Sequence, residues 1–205
     1  MRRTAGQAPT NDSSPALAGA WTGSWARRWL ALGAIGTLAG CVVNDVKPLG
    51  ASVSAVQADH AIVVVGVTLR AAWAYPRFGV TLDQYDTRTQ AITGNCLAYN
   101  RLEASVPATP ASTRFLAFDV PAGHYIYSAF NGGSLAGNDR AFQVLPGHAV
   151  YVGNFVLGEG GVVTLRSDLA ENRAAIAQAL PNVPASLETA AASAALPARP
   201  FMCAP

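Results

Sequence analysis

The 205-residue sequence predicts a mainly β fold, a single antiparallel β-sandwich with one short C-terminal helix, and three observations carry that reading. Short runs rich in β-branched and aromatic residues follow one another through the middle of the chain. Turn-forming Gly, Pro, Asn and Asp separate them at intervals of roughly 8–15 residues, too close to fit the helices that βαβ units need. A helical pattern with caps occurs once, late in the chain. Apolar residues make up 51% of the whole, enough for a core in a chain of this length and too many for disorder throughout.

Taken in order, the β-type runs are AIVVVGVTLR (61–70), RFGVTL (77–82), AITGNCLAY (91–99), RFLAFDV (114–120), HYIYSAF (124–130), RAFQVL (140–145), HAVYVGNFVL (148–157) and GVVTLRS (161–167). Two of them open on related turns. Val120-Pro121-Ala122-Gly123 suits a type I turn, with Pro second and Gly fourth; Leu145-Pro146-Gly147-His148 suits type II, which needs Gly third. The glycine clusters NGGSLAG (131–137) and GEGG (158–161) read as hairpin loops. The helix begins at Asp168, a cap with Glu171 three residues on; Leu169, Ile176 and Leu180 fall near one face, and Pro181 stops it. SLETAAASAAL (186–196) is alanine-rich and predicts a second short helix without a strong apolar face. The organisation expected is therefore a leader over 1–40, a small polar tether over 41–59, a β-sandwich over 60–166, and a helix with a tail over 167–205.

The leader is distinct in charge and hydropathy. Arg27 and Arg28 precede an apolar stretch of about eleven residues that ends in Leu38-Ala39-Gly40-Cys41, a length suited to a secretory signal and short of the roughly 20 residues a spanning helix needs. Some 24 residues of polar, Ser/Pro/Gly-containing sequence stand before Trp25, longer than an ordinary n-region, which a start codon further along would explain. Four of the 14 Lys/Arg and one of the 12 Asp/Glu lie in the first 40 residues, so the chain from Cys41 onward carries 10 basic and 11 acidic residues, a net charge near −1. With that balance and no basic cluster, nucleic acid is not an expected partner.

LAGC resembles the lipobox of bacterial lipoproteins. The resemblance implies that the leader is cut before Cys41, with Leu38, Ala39 and Gly40 as the signal-peptidase recognition residues, and that the Cys41 thiol carries a diacylglyceryl group. Membrane lipid is then a partner through Cys41. Two or more acyl chains anchor stably where one binds marginally. Val42, rather than Asp, follows the cysteine, which by the same resemblance implies the outer membrane, facing the periplasm. ARRWLAL (26–32) is also similar to a twin-arginine signal, with poorly matching flanks. In an oxidising compartment the two other cysteines, Cys96 and Cys203, are expected to pair, pinning the tail to the domain.

A second resemblance rests on Phe118-x-Val-Pro-Ala-Gly-x-Tyr125 and on Pro146-Gly-x-x-x-Tyr151-x-Gly153-x-Phe155. These look like a group of bacterial envelope lipoproteins with a small antiparallel sandwich, and are similar to transthyretin-like and carboxypeptidase-regulatory-like domains, over about Ile62 to Arg166. A non-catalytic module is what the resemblance implies.

Residue types capable of chemistry are few. Ser134 in GGSLAG is one residue from the G-x-S-x-G nucleophile elbow, but that elbow needs a helix after the turn and a β-type run comes next here. His60, His124 and His148 have no metal-ligand spacing, although the last two hold equivalent places after turns. Asp83 and Asp86, three apart beside Arg88, read as solvated loop carboxylates. GEGG lacks the Lys-Ser/Thr of a phosphate loop, and neither a cofactor nor a metal is expected. Trp73, Tyr75, Phe78 and Tyr85 are core or, in part, an exposed contact patch. The function expected is a lipid-anchored envelope module that binds or scaffolds an envelope protein, peptidoglycan or a polysaccharide. The alternative is a periplasmic hydrolase or metal-binding protein using Ser134 or the histidines.

Overall fold

The computed structural model describes residues 43–50, 57–109 and 112–199, all within the unit Gly40–Pro205. They form two β-sheets, one α-helix and one 3-10 turn. The centre of the first sheet is β2 (His60–Leu69), buried at every position. A strand covered on both faces reads as an unbroken apolar run, which explains AIVVVGVTL. Ala61, Val63, Val65, Val67 and Leu69 enter the main core, while Ile62 and Val64 turn to the opposite face.

On one side β2 pairs antiparallel with β6 (Arg114–Pro121), which in turn pairs with β1 (Lys47–Pro48). On the other side it pairs parallel with β10 (Ala149–Leu157). Beyond β10 come β11 (Val162–Arg166), antiparallel, and β8 (Ser134–Leu135), parallel to β11; β12 (Glu188–Thr189) also lies parallel to the start of β10. The sheet is therefore mixed, which corrects the all-antiparallel expectation. Turn chemistry orients only strands that are neighbours in sequence, and most of the domain's chain separates β2 from β10.

The second sheet runs β13 (Ala191–Ala194), β9 (Asp139–Val144), β7 (Gly123–Tyr127), β3 (Arg77–Asp86), with β4 (Ala91–Ile92) and β5 (Arg101–Pro107) both on the far side of β3. Phe78, Val80 and Leu82 of β3, Leu102, Ala104 and Val106 of β5, and Tyr125, Phe142 and Phe155 share one core cluster with the odd residues of β2. Tyr127 stacks on Phe155 at 5.7 Å between ring centroids, and Phe142 meets Phe155 edge-on at 6.4 Å.

Several local expectations change. The run 91–99 holds only the two residues of β4; Gly94 at φ +106° and the Asn95 side chain, accepting from the N–H groups of Leu97 and Ala98, close a turn there. The strand lies just after it, in β5, whose buried and exposed residues alternate. Val120–Gly123 is a bend, not a type I turn: Ala122 N donates to Asp59 O, and the chain passes from the first sheet to the second. Leu145–His148 does close as type II, with His148 N donating to Leu145 O and Gly147 at φ +74°. It carries the chain from β9 back to the first sheet. NGGSLAG joins β7 to β9, yet it is no free hairpin loop, because β8 pins it to β11.

The helix α1 (Leu169–Ala179) forms as expected. Asp168 caps it by accepting from Glu171 N at 3.1 Å, and Leu169, Ile176 and the partly buried Leu180 cover Ile62, Val64 and Tyr151 on the outer face of the first sheet. The second helix does not form. β12 and β13 occupy its sequence, β13 on the open edge of β9, because an available sheet edge outweighs even alanine's high helix propensity where no apolar stripe rewards the helix. Residues 43–50 are no tether either: they lie hydrogen-bonded along the domain, with Val46 buried. At Gly153, φ +139°, the β10–β2 register slips by one residue, and a Cβ there would stand 2.5 Å from Leu165 Cδ1. Only glycine fits that bulge.

Candidate functional site

The corner where the N-terminal segment meets the second sheet collects the most chemistry. Val43 N donates to Leu97 O at 2.8 Å and Val43 O accepts from Tyr99 N at 3.0 Å. Asn44 then locks the start of β5, accepting from Arg101 N and donating to Arg101 O. The sequence folds this way locally because a short polar side chain can bond two backbone groups at once where strands diverge.

Beneath that segment Arg101 Nε donates to Asp83 Oδ1 at 2.6 Å. Asp83 points to the outer face of the second sheet and is fully buried, whereas the Arg101 side chain keeps 22% of its exposure. The guanidinium lies 5.0 Å from the ring centre of Tyr99 and 5.7 Å from that of Phe130. Burial works against the arginine's charge, but the hydrogen bond and charge of Asp83 outweigh it and hold the guanidinium above its ordinary pKa. Among the described residues Asp83 Oδ2 has no hydrogen-bond partner. The result is a fixed cation between two aromatic faces, bordered by exposed Val43, Leu97 and Phe130.

The sequence singled out other residues, and the structure scatters them. Asp83 is buried in β3 rather than solvated in a loop, while Asp86 closes the turn after β3, its carboxyl held below the usual range by the N–H groups of Arg88 and Thr89. The two therefore do not form an acid/base dyad. Ser134 is exposed at the start of β8, with β9 and not a helix after it. His60 lies 2.6 Å from Asp119 Oδ1 within the first sheet and His148 2.6 Å from Glu188 Oε1 on its surface; His60 O accepts from Gly147 N and His148 O from Ile62 N, which sets the two histidines one register step apart on neighbouring strands. His124 is apart, in β7 opposite Tyr85. Among the described residues no group of three His, Cys, Asp or Glu is placed to hold a metal. Of the four aromatics, Phe78 and Tyr85 are buried, Trp73 packs edge-on against Phe78, and Tyr75 is exposed.

Leu38, Ala39, Gly40, Cys41 and Cys203 lie outside the described residues. Cys96 is half-buried in the turn before β5. Among the described residues no helix is long and apolar enough to cross a membrane. Arg101, Tyr99 and Phe130 escape a reading of the sequence because nothing in RLEASVP marks its arginine as partner of a carboxylate 18 residues earlier. The alternation of Leu102, Ala104 and Val106 is the available signal for the strand that carries it. Comparisons with protein-family models, with curated proteins and with solved structures find no match to this chain.

Proposed function

We propose that the chain is a lipid-anchored lipoprotein of the bacterial envelope, acylated on Cys41 after removal of residues 1–40, whose domain is a non-catalytic binding or structural module. It is held on the outer membrane facing the periplasm, where it engages an envelope protein, peptidoglycan or a polysaccharide. The observation that carries this reading is the junction: LAGC ends at Cys41, and the chain is already hydrogen-bonded to the folded domain at Val43. A leader ending where the fold begins fits a processed, anchored domain. The placement of Ser134 before a strand and the separation of His124 from the other histidines favour binding over hydrolysis or metal chemistry.

The finer reading of the fold, one sandwich closed around a common core, draws support from the core cluster that both sheets supply. The Cys96–Cys203 bridge draws support from register. Arg199 bridges Ala91 in parallel, four residues before Cys203 and five before Cys96 in the sequence.

Incorporation of a labelled fatty acid, compared between the wild-type chain and Cys41→Ser, tests the anchor. Label on the wild type alone, with the variant released from membranes, is the expected result; label on both, or on neither, refutes it. Crosslinking in intact cells with the same two forms tests the module: a defined envelope partner captured only by the anchored form is expected. For the bridge, intact mass before and after reduction should differ by two hydrogens.

A further inference from the structure

From the corner around Val43 we infer a membrane-seating surface: the exposed side chains of Val43, Leu97 and Phe130, with Tyr99 and Arg101 between them, rest in the lipid headgroup layer beside the anchor. The inference rests on the proposal that Cys41 is acylated. Its physical basis is the absence of slack. Only Val42 stands between Cys41 and Val43, so their Cα atoms are at most about 7–8 Å apart. The headgroup layer of one leaflet is roughly 5–8 Å thick. With the Cys41 acyl chains in the hydrocarbon, only two residues and the thioether-linked glycerol separate Val43 from the bilayer core, and Val43 is fixed to the domain through Leu97 and Tyr99. The surface around Val43 is thereby held against the bilayer.

What surrounds it suits that position. Val43 is 51% exposed, Leu97 62% and Phe130 65%, an apolar cost in water that burial among lipid removes. Tyr99 has an apolar body with a polar tip, and Arg101 an apolar stem whose charge Asp83 already compensates; such residues favour the interfacial zone. The cation stacked on Tyr99 and Phe130 ties the corner into one surface, joining the β5 end to the loop after β7.

The test uses the full acylated chain in vesicles of phosphatidylethanolamine and phosphatidylglycerol that carry a photoactivatable phospholipid. Mass spectrometry locates the lipid adducts, and fatty-acid labelling is measured on the same sample. Adducts at 97–101 and 128–131 are expected. In the Leu97→Asp/Phe130→Asp variant they should fall by about tenfold or more, with acylation and the thermal midpoint unchanged. Leu145→Asp, exposed at the other end of β7 and β9, is expected to leave them as they are. Acylated wild type with adducts only beside Cys41, or spread evenly over the surface, overturns the seating surface while leaving the anchor standing. Failure of the fatty-acid label removes both. In-cell crosslinks from Leu97 or Phe130 to a protein in place of lipid also overturn it.

Discussion

The two sheets share a core and differ on the faces turned away from it. The outer face of the first is sealed by α1 against Ile62, Val64 and Tyr151, whereas on the outer face of the second Tyr85, Ile92, Ile126 and Ala141 pack against tail residue Ala198, beside the Asp83–Arg101 pair. Capping with a helix gives a dry, apolar layer. Leaving the cover to a tail and a loop keeps a charge near the surface, where Val43, Leu97 and Phe130 remain exposed. The contrast separates a face built for stability from one available for contact.

Removing what both sheets share has the largest effect. Phe155→Ala empties the contact with Tyr127 and Phe142 and should cost about 3–5 kcal/mol in urea unfolding, with both faces lost together. Arg101→Ala should act on the second face alone. It strands a buried carboxylate whose other oxygen lacks a partner among the described residues, and a cost of about 2–3 kcal/mol is expected, below that of a fully buried pair because the arginine is partly solvated. A chain that loses α1 protection equally in hydrogen exchange would show the two faces to be one unit.

Alkali probes the shared core by another route. Burial pushes Tyr127 up to about 12 and raises Tyr125 and Tyr151 as well. A raised folded pKa means that the unfolded chain releases the proton first. Stability is thus complete below the ordinary tyrosine value of about 10 and falls as pH rises from there through 12, by up to about 1.4 kcal/mol per pH unit for each such tyrosine. Absorbance titration at the tyrosinate band should show these three ionising only with unfolding.

Smaller changes sharpen the first face. Asp168→Ala removes the α1 cap and should cost about 1 kcal/mol. Tyr151→Phe deletes a buried hydroxyl that has no hydrogen-bond partner among the described residues and should be neutral or slightly stabilising, within about 0.5 kcal/mol. A clear loss there would mean that the hydroxyl has a bonding role under α1.

By itself the sequence determined what local physics determines: a mainly β chain, the positions of β2, β6, β10 and β11, and the capped helix from Asp168 to Pro181. Each of these is written in residues close together, as apolar runs, alternation or caps. Only the tertiary structure decided that β2 and β10 run parallel, that 186–196 lies in strands, that residues 43–50 belong to the domain, and that Asp83 meets Arg101. Those outcomes depend on which sheet edge is free and which buried charge needs a partner, and such needs arise only between segments that the fold brings together.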